Sequence, residues 1–298
     1  MAFLANLLVA IAKSVAAAIT GSAAMVAEAA HSWADTGNQV FLFVAERKSS
    51  RPSDRERPMG YGREAYVWSM FAALGLFVAG GVVSIQHGIT ELSGEGVLGD
   101  HTIAYIVLAA AFVFEGTSLV QAFLRARREA KDLGRDLLDH ALATSDPTLR
   151  AVLAEDSAAL LGIVVAALGM GLHQATGEAI YDAIGSIAIG VLLCAVAVFL
   201  IDSNRRFLTG RVADPALHHA AREQVTALPG VERVAQLRLE FLGPRQLLLA
   251  AAVDLTGEPP ESHVARRLRE LEHRLEEDPR IVEAILTLAT PEDLATTR

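Results

Sequence analysis

Cysteine and basic residues are both scarce in this chain. Cys194 is the only cysteine and it lies in an apolar run, which excludes a disulfide scaffold and a cysteine-ligated zinc site. The 26 Lys and Arg are outnumbered by 35 Asp and Glu, for a formal net charge of −9. No basic patch stands out, so we expect no nucleic-acid partner. The sequence has no ATP-binding motif, because Gly60-Tyr61-Gly62 is too short for a phosphate loop.

Apolar residues are abundant instead, at 52% of the 298 residues. Apolar stretches of about 20 residues, enough to cross a bilayer, recur up to Ile201, and the chain is ordinary and charged beyond it. This distribution predicts an integral membrane domain followed by a small soluble domain. We place the domains at 1–210 and 211–291 and interpret 292–298 as a loose tail.

The apolar stretches predict a bundle of six membrane helices, at 2–20, 22–45, 65–90, 102–124, 148–173 and 180–201. The first stretch could be mistaken for a secretory signal peptide. However, Lys13 lies inside it rather than before it, and its Ala-rich run leads directly into the next helix. We therefore interpret it as an uncleaved first span.

Basic residues alternate between the connections. The connections at 21, 91–101 and 174–179 are nearly free of Lys and Arg, whereas those at 46–64, 125–147 and 202–213 carry clusters. The clusters are Arg47, Lys48, Arg51, Arg55, Arg57 and Arg63; Arg125, Arg127, Arg128, Lys131 and Arg135; and Arg205, Arg206 and Arg211. Basic loops stay in the cytoplasm, so both termini are predicted to be cytoplasmic. We expect a multi-pass protein of a bacterial inner membrane.

The residues after Asp214 predict a small α+β domain in the order αββαβ, with helices on one face of a three-stranded sheet. Its predicted helices are Ala216–Leu228 and Ser262–Glu277. Its predicted strands are Val231–Phe241, Gln246–Leu255 and Ile281–Leu288.

The second predicted span contains a histidine and a carboxylate, His31 and Asp35, four residues apart and therefore on one helix face. An ionisable residue at the bilayer centre costs roughly 2.5–3.5 kcal/mol on insertion scales, so it marks a functional site by default. An imidazole nitrogen and a carboxylate oxygen aimed at one point form half of a divalent-metal site. The alternative is a buried pair in which the two side chains only neutralise each other.

The fifth predicted span supplies Glu155 and Asp156. Adjacent carboxylates repel each other when both are ionised, and a bound dication removes the repulsion. The alternative places them at the membrane surface, in contact with water. Together with His31 and Asp35 they predict a metal site that zinc, manganese, iron(II) or cobalt would suit. Asn38 could add a carbonyl oxygen or hydrogen-bond a neighbouring helix.

Other polar residues in the spans are open to more than one interpretation. Glu28 could orient the ring of His31 or pair with Lys13. Glu115, Gln121 and Asp182 suit interhelical hydrogen bonds better than metal ligation. His87 and His173 lie near span ends and are expected at the membrane interface.

The chain resembles the cation diffusion facilitators, a superfamily of dimeric metal/proton antiporters that transport zinc. The resemblance covers nearly the whole chain and rests on Thr20-Gly21-Ser22, Ala27-Glu28-Ala29-Ala30-His31-Ser32 with Asp35, Gly60-Tyr61-Gly62-Arg63-Glu64, Glu155-Asp156-Ser157 and Tyr181-Asp182-Ala183-Ile184-Gly185-Ser186. It implies that the αββαβ domain is the family's metallochaperone-like cytoplasmic domain. The Glu-Asp pair is similar to a subgroup related to the animal zinc transporter nine.

The family's transport site uses two ligands four apart in the second span and two more in the fifth. His31, Asp35 and Asp156 match, but the fourth position is Val152, so Glu155, Asn38 or water would have to complete the set. We expect that Glu155 can do so only if the fifth span turns or bends locally.

Accessory metal sites of the family look lost. In the loop after the second span Asp54 remains, but the histidine positions are Arg57 and Tyr61. In the soluble domain only His263 matches a ligand position.

The resemblance implies a homodimer, not an enzyme, that exports divalent transition metals such as zinc in exchange for protons, with no resident cofactor. Its partners would be the metal, protons and the bilayer. The alternatives are a metal-responsive membrane scaffold or sensor without transport, and an intramembrane hydrolase with Glu155 as its base, which the resemblance disfavours.

Overall fold

The computed structural model describes residues 2–92, 101–132, 134, 136–211, 213–257 and 260–296. Most of the predicted connection 91–101, Arg135 of the second basic cluster and residues 297–298 of the predicted tail lie outside them. The chain forms two compact units, one of Met1–Glu46 and Tyr66–Arg205, the other of Arg47–Ala65 and Arg206–Arg298. The second unit therefore includes 47–65, which the predicted boundary at 210 had assigned to the membrane domain.

The first unit is entirely helical in its described part. Its helices are α1 (Ala2–Thr20), α2 (Ala23–Ser49), α3 (Glu64–Gly75), α4 (Val83–Glu91), α5 (Thr102–Asp132), α6 (Leu137–Ala143), α7 (Pro147–Thr176) and α8 (Ile180–Leu208), and a π-helical segment, Leu76–Val82, joins α3 to α4. Five segments are long and apolar enough to span a membrane: Phe3–Thr20, Glu64–Glu91, Thr102–Lys131, Pro147–Thr176 and Ile180–Leu208. These agree with five of the six predicted spans.

The remaining predicted span, the second at 22–45, is helical as well, but its composition does not mark it as a membrane helix. Glu28, His31 and Asp35 lie inside α2, and Arg47 and Lys48 end it. The ionisable residues that make α2 chemically interesting are the same residues that lower its hydropathy.

The start of α2 is fixed by a carboxylate from another helix. Ser22 Oγ donates to Asp182 Oδ1 on α8 at 2.8 Å, and the Ala23 backbone N–H donates to Asp182 Oδ2 at 2.5 Å. An acidic side chain at a helix N-terminus satisfies free N–H groups and complements the helix dipole. Asp182 thus forms the interhelical bond predicted for it, and it sets the position of α2 along the bundle.

Glycine lets the fourth and eighth helices approach closely. A Cβ on Gly88 would lie 2.8 Å from the Ala183 carbonyl oxygen, and one on Gly190 would lie 2.8 Å from that of Gly81. Ser186 Oγ donates to the Ser84 carbonyl across the same interface at 2.9 Å. Small residues of this kind are typical of packed membrane helices.

The second unit has the predicted α+β architecture. It contains α9 (Pro215–Thr226), β1 (Val231–Gly243), β2 (Gln246–Leu255), α10 (Glu261–Glu276), β3 (Ile281–Leu288) and α11 (Pro291–Thr296). The sheet order is β1-β2-β3, with β1 antiparallel and β3 parallel to β2. Apolar residues of the strands and of both long helices form its core, and Val225, Leu249, Val253 and Leu275 are fully buried.

We expected the tail to be loose, but its described residues are ordered. Pro291–Thr296 form a short helix, and the Asp293 carboxylate accepts hydrogen bonds from the backbone N–H and the hydroxyl of Thr290 at 2.9 and 2.7 Å. Gln236 of β1 donates to the same side chain at 2.9 Å.

The segment 47–65 packs against the β1–β2 ribbon of its own unit. Arg63 forms an ion pair with Glu240. A Cβ on Gly62 would lie 2.6 Å from the Leu242 carbonyl oxygen and 2.9 Å from the Gly243 Cα. Because both neighbours are backbone atoms that cannot rotate away, only glycine allows this contact.

Gly62→Ala should therefore loosen the segment. Forcing a methyl group into such a contact costs roughly 1–3 kcal/mol. In limited proteolysis of the full chain, trypsin should cut faster after Arg55, which is followed by Glu56, whereas Arg51 and Arg57 are followed by proline and resist trypsin. Gly116→Ala is the matched control, since a Cβ there meets nothing within 4 Å. An unchanged cutting rate in Gly62→Ala would contradict the packing described.

Asp182→Ala should lower the melting temperature of the full chain in detergent, because loss of a capping side chain costs about 0.5–2 kcal/mol. Asp182→Asn should have a smaller effect, since it keeps one acceptor oxygen. The control is Glu178→Gln, an exposed side chain four residues earlier. Equal melting temperatures for all three variants would show that the cap does not stabilise α2.

Candidate metal centre

The histidine and carboxylate of α2 lie together on one face, as their spacing predicted. His31 Nε2 is 3.3 Å from Asp35 Oδ2, and the imidazole is almost fully buried. Asn38 follows three residues after Asp35 and is also buried. Since successive turns of a helix bring residues i, i+4 and i+7 to one side, α2 presents a short row of nitrogen and oxygen donors.

The second pair of donors is positioned by the start of α7. The Asp146 carboxylate accepts from the Thr148 and Leu149 backbone N–H groups at 3.0 and 3.2 Å, and Pro147 occupies the first turn. Asp at the N-cap followed by Pro is a strong helix start. Glu155 and Asp156 follow in the third turn.

The two pairs meet at a cavity of about 470 Å³ within the helical unit. Asp35, Asn38, Glu155 and Asp156 line it, together with residues of α1 and α5, which include Asn6, Glu115, Thr117, Ser118 and Gln121. Glu155 is buried. The solvated-surface interpretation of Glu155 is therefore wrong, and both acidic residues face the interior of the unit.

The expectation that α7 must bend for Glu155 to reach the site is also wrong. Val152, Glu155 and Asp156 all line the cavity, and α7 is assigned as a single α-helix over Pro147–Thr176. Residues i, i+3 and i+4 share one helix face. A carboxylate three positions after Val152 therefore faces the cavity in an ordinary helix.

Asn38 and Glu155 link the two helices. The Asn38 amide donates to Glu155 Oε2, which answers the open question about Asn38 in favour of an interhelical hydrogen bond. Asn38 Oδ1 and Glu155 Oε1 have no hydrogen-bond partner within the described residues. One donor oxygen on each side chain therefore remains available.

Other donor atoms at the site are buried without a hydrogen bond as well, although His31 Nε2 stays in contact with Asp35. Among the described residues this holds for Asp35 Oδ1, Asp156 Oδ2 and both ring nitrogens of His31. Leaving a buried polar atom unsatisfied costs about 1–3 kcal/mol, and more when it is charged. Such a concentration of lone pairs is what a cation-binding site requires before its ion arrives.

The donors surround the cavity without converging on one point. In the described ranges no three His, Cys, Asp or Glu side chains are close enough to hold one metal ion. His31 touches Asp35 but does not line the cavity. Glu28 pairs with Lys13: Lys13 Nζ lies 2.8 Å from Glu28 Oε2, and both side chains are fully buried. Of the two predicted roles of Glu28, the structure shows the ion pair with Lys13 and not the orientation of the His31 ring.

Sequence reasoning missed the contribution of α5 to this cavity. Glu115 and Gln121 were interpreted as interhelical bonding groups and Ser118 was not singled out, yet all three line the cavity. They lie three residues apart in an apolar helix, which places them along one face. That spacing was the signal that could have identified α5 as the third wall.

The loop that resembles an accessory metal site has a different structure here. The Tyr61 hydroxyl donates to Asp54 at 2.7 Å, and the Glu56 and Arg57 backbone N–H groups donate to its other oxygen at 2.9 and 2.8 Å. The hydrogen bond from Tyr61 is the main cause of a pKa of Asp54 below its ordinary value. Hydrogen bonds therefore occupy the carboxylate that the family pattern would assign to a metal.

Comparison with known proteins supports the same family from a separate direction. Residues 1–209 match the cation efflux transmembrane domain. The chain is 35% identical over 238 residues to the mitochondrial proton-coupled zinc antiporter SLC30A9 of Xenopus laevis. The aligned region covers 80% of this chain and 43% of that protein. It is 34% identical over 239 residues to metal tolerance protein C4 of Arabidopsis thaliana, covering 80% of the chain and 52% of that protein.

The match to a more distant relative covers a larger share of that relative. A probable cation efflux system protein of Mycobacterium tuberculosis is 25% identical over 257 residues, which is 86% of this chain and 72% of the relative. The chain spans about half the length of the more similar relatives. With the transmembrane domain matched over 209 residues and the apolar helices followed by the α+β unit, the chain belongs to the cation efflux, or cation diffusion facilitator, family.

Proposed function

We propose that this chain is a secondary transporter that moves a divalent transition metal, zinc foremost, across a membrane in exchange for protons. The observation that carries the proposal is the cavity lined by Asp35, Asn38, Glu155 and Asp156, whose buried oxygen atoms include one without a partner on each side chain. Four carboxylates around one cavity within membrane helices, those of Asp35, Glu155 and Asp156 with Glu115 of α5, suit a dication far better than a neutral solute.

In this proposal the metal is the substrate, and His31, Asp35, Glu155 and Asp156 bind it. A dication among three carboxylates offsets their mutual repulsion, and the imidazole of His31 adds the nitrogen ligand that favours zinc over magnesium. Asn38 holds one oxygen of Glu155, which orients the other for the ion. His31 contacts Asp35, which lines the cavity, so its imidazole lies beside the proposed site.

Proton coupling follows from the same side chains. Carboxylates and imidazole bind metal only when deprotonated, so protons and metal compete for them. If the cavity opens alternately to each side of the membrane, protons that enter on one side displace the ion that leaves on the other. No step requires a nucleotide.

The name of the Xenopus relative, a proton-coupled zinc antiporter, supports zinc and proton exchange for this chain. Manganese, iron(II) and cobalt remain candidates from the donor set. The homodimer, the cytoplasmic position of both termini and the bacterial inner membrane belong to the proposal, and cross-linking and protease accessibility in oriented vesicles test them.

Transport by the purified full chain in proteoliposomes tests the proposal. A metal-sensitive dye inside the vesicles should report zinc uptake, with an opposite change of internal pH, in an imposed pH gradient. Parallel runs with manganese, iron(II) and cobalt define the substrate range. Metal binding without flux or pH change would favour the alternative of a metal-responsive scaffold or sensor.

Asp35→Asn and Asp156→Asn should each reduce zinc flux at least roughly tenfold, since the loss of an anionic ligand weakens the site more than the loss of a partner that only orients a ligand. Both substitutions keep side-chain volume. Asp139→Asn, an exposed carboxylate on α6, is the matched control and should transport normally. Normal flux in either cavity variant would refute the site.

Glu155→Gln should weaken zinc binding and flatten its pH dependence. Zinc affinity falls as pH falls because protons occupy the ligands, and each titrating ligand adds to the slope. Removing one titrating group should make log Kd change less per pH unit, which calorimetry between pH 6 and 8 measures. Identical slopes in the two proteins would place Glu155 outside the metal and proton chemistry.

A further inference from the structure

Two buried histidines meet at the far ends of the helices that wall the cavity. His101 immediately precedes α5, and His173 lies in the last turn of α7. Their side chains are almost inaccessible, with relative exposures of 0% and 4%, and their ring centroids are 5.9 Å apart at an angle of 62°. The His173 ring is therefore enclosed by protein in the last turn of its helix.

The ring nitrogens of this pair are largely unsatisfied. His101 Nδ1 lies 3.0 Å from the Gln174 side-chain amide. His101 Nε2 and both nitrogens of His173 are buried with no partner in the described part of the chain. At about 1–3 kcal/mol for each unsatisfied group, three such atoms at one place point to a missing ligand.

The contact between His101 and Gln174 suits a metal ligand. A histidine that binds metal through one nitrogen usually donates its other ring N–H to a carbonyl or carboxylate oxygen. A 180° turn of the Gln174 amide, whose oxygen and nitrogen have the same shape, lets Nδ1–H donate to Oε1. The lone pair of His101 Nε2 is then free to bind a metal.

The distance between the two ring centroids is close to that of two imidazoles bound to one ion. With Zn–N distances of about 2.0–2.1 Å and tetrahedral angles, two imidazoles on one zinc have centroids roughly 5 Å apart. The observed centroid separation of 5.9 Å is within about 1 Å of this value. Imidazole nitrogens select ions such as Zn²⁺ and Co²⁺ over Mg²⁺, which prefers oxygen.

This place is distinct from the cavity. His173 follows Asp156 by 17 residues on α7, and His101 precedes Ser118 of α5 by 17 residues, which is about 25 Å of helix in both cases. Between them the Tyr105 hydroxyl donates to the Ala167 carbonyl at 3.3 Å and ties the two helices together. The two helices therefore frame the acidic cavity at one level and the histidine pair at the other.

We propose that His101 and His173 form a second binding site for a divalent transition metal, completed by water and braced by Gln174. The site requires only that these two rings share an ion, so it stands whether or not the cavity transports metal.

The test uses the full chain in detergent, with Asp35→Asn and Asp156→Asn together to disable the cavity. Cobalt titration should give the visible absorption bands of nitrogen-ligated Co²⁺, with about one ion per chain and no competition from magnesium. His101→Gln or His173→Gln in this background should weaken cobalt binding at least tenfold. His87→Gln, a half-buried histidine on α4 outside the pair, is the control and should leave it unchanged. Equal cobalt affinity in the control and in the pair variants would overturn the proposal.

A second measurement keeps the proposal testable if the pair variants do not fold. X-ray absorption at the zinc edge, on the background protein with both histidines intact and one zinc per chain, should show two imidazole ligands at about 2.0 Å. A first shell without imidazole, or no retained zinc, would mean that ordered water satisfies the two rings. Loss of flux from a cavity variant has no bearing on either result, so the two proposals fail separately.

Discussion

A buried charge within membrane helices has no bulk water to solvate it, and this constraint organises the first unit. Each ionisable group must find a partner or be held ready for one. Lys13 and Glu28 satisfy each other at 2.8 Å with no exposure to solvent, and Asp182 satisfies the free N-terminus of α2. These two interactions hold a helix that is too polar to be recognised as a span by its composition. Gly162 is part of the same arrangement, because a Cβ there would collide with Glu28 Oε1.

The groups left without partners are the informative ones. In the described residues they concentrate on Asp35, Asn38, Glu155 and Asp156 at the cavity, on His31 beside it, and on His101 and His173 at the opposite ends of α5 and α7. Lys13 and Glu28 pair with each other through Oε2, and Glu28 Oε1 is a single buried oxygen without a hydrogen-bond partner in the described residues. The unpaired atoms of Asp35, Asn38, Glu155 and Asp156 belong to side chains that line one cavity, so a cation inside it would lie near several of them. Clusters of unpaired atoms at one cavity or in one pair of rings, rather than single unpaired atoms such as Glu28 Oε1, thus mark the side chains that suit a cation.

Patterns local in sequence were predicted well, and contacts across the chain were not. The three strands, the two long helices of the α+β unit and five spans follow from apolar periodicity, which is a property of neighbouring residues. The pairing of His31 with Asp35 follows from four-residue spacing. The bond from Asn38 to Glu155 joins residues 117 positions apart, and the packing of Gly62 on Leu242 depends on backbone geometry. Neither leaves a trace in local composition. Likewise, no spacing rule brings His101 to His173, because the antiparallel arrangement of α5 and α7 creates that pair.

The departure from the family pattern at Val152 has a structural answer. A valine at a ligand position would leave one side of the cavity apolar, and Val152 does line it. Glu155 lies three residues later, within 60° of Val152 around the helix axis at about 100° per residue. Asp156 lies 40° to the other side of Val152, so the two carboxylates flank the position that the family pattern uses. Asn38 then faces Glu155 from α2 and fixes one of its oxygens. The cavity wall therefore carries an acidic side chain three residues after Val152, so the motif looks incomplete in sequence while the cavity retains its acidic donors.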